Sequence, residues 1–222
     1  MNFRGFFIGI YSLLSLIIVI ILMLLFPGKI PFIRKYWALS IIKLIGMDIE
    51  QIGNIDTNAN IILVNHNSML DILILDYLHP KDIAWVTNKK LANVPIYGWI
   101  FKLPNLILIN PKKKSSINIL LKRSKEELSN NRPIGIFPEG TRGKINEMRP
   151  FQKGSKIIVE ELKLKVQPIV LVNTRDRLDT LTMKSTSGSM KIICLDIESA
   201  VDENWFENLE KTMIDIYNKN RD

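Results

Sequence analysis

A run from Phe6 to Phe26, dominated by Ile and Leu and free of any charged residue, is the strongest pattern in the chain. As a helix rising ~1.5 Å per residue it extends about 30 Å, the thickness of a hydrocarbon core. A secretory signal would have an apolar region of only ~7–15 residues and then a small-residue cleavage site, so this stretch is expected to remain as an uncleaved anchor. Pro27-Gly28-Lys29-Ile30-Pro31 breaks it. From 32 to 47, Phe32, Ile33, Trp37, Ile41, Ile42 and Ile45 are mixed with Arg34, Lys35 and Lys43. That mixture predicts an amphipathic helix in the interface, with Trp37 and the lysines at headgroup level. Helices 6–26 and 32–47 thus form a membrane-associated anchor over residues 1–47. It either spans the bilayer or dips into one leaflet as a hairpin.

From about Ile49 the rhythm changes to short apolar runs alternating with helix-like stretches. Strands are predicted at Ile61–Val64, Ile83–Val86, Leu106–Ile109, Ile134–Phe137, Ile169–Val172 and Lys191–Ile197. Between them lie helical patterns at Ser68–Tyr77, Ser115–Leu128 and around Ile157–Leu162. Ile117, Leu120, Leu121 and Leu128 share one stripe behind an N-cap at Ser115 or Ser116. A closing helix sets Phe206, Leu209, Met213, Ile216 and Tyr217 against polar residues. The expected architecture is α/β: a mixed, largely buried β-sheet flanked by helices, in one domain over residues 48–222 that follows the hairpin.

Charge adds a partner class. Thirty Lys and Arg against 22 Asp and Glu leave a net charge of +8 in 222 residues, which implies an anionic partner. The densest basic stretches are Lys112-Lys113-Lys114 and the group Lys122, Arg123 and Lys125. Beside a membrane anchor, lipid phosphate or an acidic soluble substrate fits better than nucleic acid, for which no motif accompanies the lysines. If the segment spans, Arg4 before it and Lys29, Arg34, Lys35 and Lys43 after it place the bulk of the chain on the cytoplasmic face of the cell membrane. The single Cys194 agrees, since it excludes an intramolecular disulfide. No metal or bound cofactor is expected; one cysteine and two histidines in particular leave too few ligands for a zinc site of the usual kinds.

Two polar stretches carry the chemistry. Asn65-His66-Asn67-Ser68-Met69-Leu70-Asp71 follows the first predicted strand, so a histidine stands at a strand mouth with a carboxylate about one turn into the next element. From these residues alone, a base with its orienting partner and a buried structural histidine beside a helix-start aspartate are both open readings. Positions five apart on one continuous helix point roughly 140° apart. A working dyad therefore requires His66 before the helix and Asp71 in its first turn, as an N-cap at Ser68 would arrange. The second stretch, Phe137-Pro138-Glu139-Gly140-Thr141-Arg142, offers backbone N–H groups, a hydroxyl and a guanidinium fork suited to phosphate, with Glu139 to orient the arginine or hold a substrate hydroxyl.

Asn-His-x-Ser-x-x-Asp followed about seventy residues later by Phe-Pro-Glu-Gly-Thr-Arg resembles the glycerolipid acyltransferases, above all the bacterial 1-acylglycerol-3-phosphate acyltransferase family. Lys89-Lys90-Leu91 with Pro95-Ile96-Tyr97-Gly98-Trp99, and Pro150-Phe151-Gln152-Lys153-Gly154 with Val166-Gln167-Pro168-Ile169-Val170, look like that family's further blocks in order. Asn110-Pro111 stands where the family usually has Asp-Arg, with Lys112 to Lys114 as possible substitutes, and Leu171 replaces a common second proline. The resemblance implies His66 as general base oriented by Asp71. It assigns Glu139, Gly140, Thr141, Arg142 and, more weakly, Lys89 to the substrate's glycerol phosphate. The implied reaction moves a fatty acyl group from acyl-CoA or acyl carrier protein to the sn-2 hydroxyl of lysophosphatidic acid, with membrane lipids as surroundings. A sibling enzyme with another lysolipid acceptor, or an inactive anionic-lipid-binding protein, are the alternatives.

Overall fold

The structure is a computed structural model that describes residues 2–113, 115–143, 147–199 and 202–221. The apolar run forms helix α1 (Phe3–Leu25), capped by Asn2, whose side chain accepts from the Gly5 N–H. A 3₁₀ turn over Pro27–Lys29 reverses the chain into α2 (Ile30–Ile45), with Pro31 in the first turn, where its missing N–H costs nothing. Gly46, at φ +60°, ends α2 in the left-handed conformation. The amphipathic helix expected to run to residue 47 therefore stops at Ile45, and Met47 already opens strand β1 (Met47–Ile52).

The elements then follow as β2 (Ile61–Val64), α3 (Leu70–Leu78), β3 (Ala84–Asn88), α4 (Trp99–Lys102), β4 (Ile107–Ile109), α5 (Ser116–Ser129) and β5 (Ile134–Ile136). After them come α6 (Lys153–Leu162), β6 (Lys165–Val172), α7 (Thr174–Arg177), β7 (Leu178–Asp179), β8 (Lys184–Ser185), β9 (Gly188–Cys194), β10 (Glu198–Ser199) and α8 (Trp205–Asn220). The main sheet has the order β1-β9-β6-β2-β5-β3-β4, with β10 added to β6, while β7 and β8 pair separately. Strands β6, β2, β5, β3 and β4 are mutually parallel; β9 runs antiparallel to β6 and carries β1 parallel to itself. The sheet is thus mixed and its centre is covered on both faces.

Alternation along β2 divides the core. Ile62 and Val64 point to one face, where they meet Ile41 and Ile45 of α2 and Leu73 and Ile74 of α3. Ile61 and Leu63 point to the other, with Leu120 of α5, Ile158 of α6 and Met213 of α8. Helix α2 is therefore a structural layer of the α/β body as well as half of the hairpin. Its Arg34, placed by the sequence reading among cations flanking a membrane, is buried and forked onto Asp76 at 2.6 Å and Asp82 at 2.7 Å. α1 lies outside α2 and touches the body near both of its ends. Asn2 bonds Met183 and Ser185 and Arg4 reaches the Ile45 carbonyl, while Val19 and Met23 pack with Ile30 and Leu103.

Candidate active site

In parallel α/β sheets, ligands gather outside the carboxyl ends of the strands. Here His66 follows β2, Lys89 follows β3, Asn110 follows β4, Phe137 to Arg142 follow β5, and Thr174 follows β6. One edge of the sheet thus collects residues from five separate loops.

The β2–α3 connection is held from below. Asn65 is wholly buried and its amide clasps the Leu171 backbone in both directions, donating to the carbonyl at 2.8 Å and accepting from the N–H at 2.7 Å. The clasp continues the β2–β6 pairing past the end of β2 and delivers His66 to the mouth of the strand. His66 lies off the helix and Asp71 in the first turn of α3, the arrangement a dyad needs. The helix boundary falls one residue later than expected, at Met69, and Ser68 is tied differently: its hydroxyl donates to the Leu178 carbonyl at 2.7 Å and accepts from the Leu70 N–H at 3.2 Å.

His66 Nδ1 lies 2.9 Å from Asp71 Oδ2, which also accepts from the N–H groups of Asn67 at 2.7 Å and Ser68 at 2.8 Å. The other carboxylate oxygen accepts from the Thr174 hydroxyl at 2.6 Å. A carboxylate only accepts, so this geometry assigns the proton to Nδ1 and leaves the Nε2 lone pair free. Asp71 is fully buried, whereas the His66 side chain is 13% exposed, enough for one ring edge to reach a ligand. The imidazole is further fixed by stacking on Phe137 at 3.8 Å between centroids, and Phe137 stacks in turn on Trp85 at 5.0 Å. Gly135 makes room for this column, because a Cβ there would come within 2.6 Å of the Trp85 ring.

The turn after β5 is sewn to His66 on both sides. The His66 N–H donates to Glu139 at 2.6 Å, and the Gly143 N–H donates to the His66 carbonyl at 2.9 Å. Arg142 is therefore one residue from a direct bond to the histidine backbone. It is half-buried and its guanidinium donates to Thr180 at 3.2 Å. Gly140 and Thr141 are exposed, and Gly140, at φ +73°, occupies a conformation that side chains rarely adopt.

Glu139, expected to orient the arginine or hold a substrate hydroxyl, is turned inward in this structure. It is buried, and its second oxygen accepts from the Arg149 N–H at 2.7 Å, so both oxygens bind backbone and straddle two loops. Burial pushes its carboxyl up to about 7, against the pull of those two N–H bonds. Lys89 is exposed at the same edge of the sheet; its backbone N–H donates to the Ile109 carbonyl at 2.7 Å. Among the described residues, no hydrogen bond or ion pair joins its side chain to His66, Asp71 or Arg142. Lys112 and Lys113 also lie exposed at this edge, after β4, and Lys114 falls outside the described residues.

Three residues near the dyad carried no chemical signal in the sequence. Thr174 follows an apolar strand. Arg175, whose guanidinium donates to the Gly143 carbonyl at 3.0 Å, resembles any turn arginine. Tyr217 sits on the apolar stripe of α8 like a core residue, yet its hydroxyl is 3.1 Å from the Asn67 amide. Burial chiefly, with Asp176 and the site carboxylates adding to it, raises that phenol to about 12, so it is neutral.

A histidine paired with a buried carboxylate thus stands at the carboxyl edge of a mixed α/β sheet, with one ring edge open. The family model described as Acyltransferase matches residues 47–172, and the chain belongs to that family. A Helicobacter pylori protein named 1-acyl-sn-glycerol-3-phosphate acyltransferase is 39% identical over 173 residues, covering 77% of this chain and 73% of its own length. A Saccharomyces cerevisiae protein of the same name is 32% identical over 136 residues, 59% of this chain and 45% of that one. The crystal structure of a Thermotoga maritima protein described as the 1-acyl-sn-glycerophosphate (LPA) acyltransferase PlsC superposes with a TM-score of 0.69. It covers 96% of this chain and 95% of that chain at 17% identity, and so shares the fold.

Proposed function

We propose that this enzyme transfers a fatty acyl group from a thioester to the sn-2 hydroxyl of lysophosphatidic acid, with His66 as general base. The observation that carries the reading is the His66–Asp71 pair, with Nδ1 bound at 2.9 Å and the opposite ring edge open. An alcohol is too weak an acid to attack a thioester unaided at neutral pH. His66 Nε2 takes the hydroxyl proton as the oxygen attacks the carbonyl carbon. The C–S bond then breaks, and the same nitrogen returns the proton to the departing thiolate. Asp71 holds the ring and stabilises the imidazolium, as the aspartate does in a serine-protease triad; the nucleophile here is the substrate's own oxygen. Arg142, with the Gly140 and Thr141 backbone, takes the phosphate, and Lys89, exposed at the same edge of the sheet, adds charge. The acyl donor is coenzyme A or acyl carrier protein, both anionic, which suits the basic chain.

The hairpin holds the enzyme at the membrane. α1 exposes Phe7, Leu14, Ile18 and Leu25 along its outer side, while both of its ends touch the body. This favours a hairpin immersed in one leaflet on the cytoplasmic side over a helix crossing both. The Asn110-Pro111 departure favours a second reading, a sibling enzyme that takes another lysolipid.

The test is His66→Ala in purified protein, offered lysophosphatidic acid with each thioester in competition. Turnover should fall by roughly 10²–10⁴-fold. Near-normal turnover removes His66 from the mechanism, and a panel of other lysolipids separates the two acceptor readings.

A further inference from the structure

The chain's positive charge is concentrated in one segment. Between Asp82 and Glu126 there is no Asp or Glu, and nine Lys or Arg residues fall there, as many as the net charge of the whole chain and one more. In the fold this segment is the β3–β4–α5 edge of the sheet. Its middle, residues 91–103, is built in an unusual way. A 3₁₀ turn over Leu91–Asn93 is followed by a tight reversal at Pro95-Ile96-Tyr97, and Gly98 packs so closely on it that a Cβ would come within 2.3 Å of the Ala92 carbonyl. At the tip, Ile96 has φ +61°, a conformation that a β-branched side chain adopts only when its surroundings force it. What this fold presents to solvent is apolar: Ile96 is 61% exposed, and Leu91, Val94 and Trp99 are exposed beside it. An exposed apolar cluster on a strained, closely packed turn marks a contact surface rather than a failed core.

Two observations identify what covers it. The cluster continues the outer face of the hairpin, because α4 abuts α1 and Leu103 packs into the Val19–Met23–Ile30 group. It is also ringed by cations: Lys89 and Lys90 precede it, and Lys102 lies over the Trp99 ring at 5.7 Å. Aromatic and apolar residues framed by lysines form the pattern that settles at the boundary between acyl chains and anionic headgroups. We infer that residues 91–99 are a second membrane-contacting element, dipping into the same leaflet as the hairpin with Lys90 and Lys102 against anionic headgroups. Tyr97 of the same turn packs edge-on against Phe101, and burial raises its phenol while the Arg142 guanidinium opposes that rise. The inferred contact thus brings the bilayer surface up to the turn that carries Tyr97. The inference rests on the hairpin's membrane role proposed above.

Single cysteines at Ile96, at Val94 and, as a reference on the hairpin, at Leu14 test it in the full chain. Cys194 is buried and burial pushes its thiol up to about 11, so it does not compete for the label. Each variant is labelled with an environment-sensitive fluorophore and reconstituted into vesicles of phosphatidylcholine and phosphatidylglycerol carrying a shallow spin-labelled lipid. Emission at positions 94 and 96 should shift to the blue and be quenched to at least half the extent seen at position 14. Adding Lys90→Glu with Lys102→Glu should cut the quenching at 96 at least twofold without changing it at 14. A quenched position 14 with an unquenched 94 and 96 overturns the inference and leaves the hairpin reading intact. Silence at all three overturns both. Protection of position 96 by an acidic carrier protein, but not by vesicles, assigns the surface to a protein and also overturns it.

Discussion

The hydroxyl of Thr174 donates to the carboxylate of Asp71 across 2.6 Å, although 103 positions separate the two residues in the chain. Asn173, at φ +65°, turns the chain at the end of β6 so that Thr174 is buried directly beneath the dyad. Replacing Thr174 with valine keeps the shape and removes the donor, leaving a buried carboxylate oxygen short of one partner at a cost of about 1–3 kcal/mol. We expect kcat to fall roughly 10–100-fold with the acceptor KM little changed, since each ~1.4 kcal/mol is a factor of ten. Thr174→Ser should restore most of it. Equal losses in the serine and valine variants would contradict a role for the hydroxyl.

Glu139 gives the protein a signed pH dependence. Its carboxyl stands at about 7 when folded against an ordinary 4.5, so the folded chain holds that proton more tightly than the unfolded chain does. The stabilisation is complete below about pH 4.5 and is lost as pH rises towards 7, over a range of at most about 3 kcal/mol. Relative to Glu139→Gln, the native enzyme should lose stability between pH 5 and pH 8. Parallel pH–stability curves for the two proteins would show that Glu139 titrates normally.

The His66–Phe137–Trp85 column should behave as a unit. Phe137→Leu keeps most of the volume but loses the aromatic stack, which is worth about 0.5–1.5 kcal/mol beyond area. The unfolding free energy should fall by that amount and kcat should fall with it, whereas Phe137→Tyr should retain both. An unchanged kcat in the leucine variant would show that the ring is held adequately by Asp71 alone.

Arg34 holds the hairpin to the body. Removing it by Arg34→Ala strands Asp76, which among the described residues then keeps its bond from Trp85 Nε1 at 2.9 Å. Breaking one side of a buried pair costs about 3–5 kcal/mol. A drop below ~1 kcal/mol, measured by urea unfolding in detergent, would mean that water reaches Asp76.

The central sheet was legible because its strands are short apolar runs. Ile61–Val64 reads as buried and is buried at every position. Strand β1 was not, because Met47-Asp48-Ile49-Glu50-Gln51-Ile52 lies at the sheet edge with only Met47 fully buried, so its composition mimics the end of a helix. β7, β8 and β10, at two residues each, are too short to carry a period. At the site, the His66–Asp71 spacing was readable because both partners lie within one turn of chain. The Arg34 cluster, Thr174 and Tyr217 were not, since each finds its partner 42 to 150 positions away. Glu139 was visible as chemistry, but its direction was not: only the fold shows that its oxygens turn inward to backbone.

The crowding around Asp71 limits the routes open to a proton. A carboxylate offers about four acceptor sites, and His66 Nδ1, the N–H groups of Asn67 and Ser68, and the Thr174 hydroxyl supply four donors. Three of these donors crowd Oδ2 and one meets Oδ1, and the Asp71 side chain is fully buried, so the dyad is a closed end with no solvent at the carboxylate through which a relay could drain. In the proposed transfer, one proton is borrowed and repaid at a single nitrogen, and rates in mixtures of light and heavy water should vary linearly with isotope fraction.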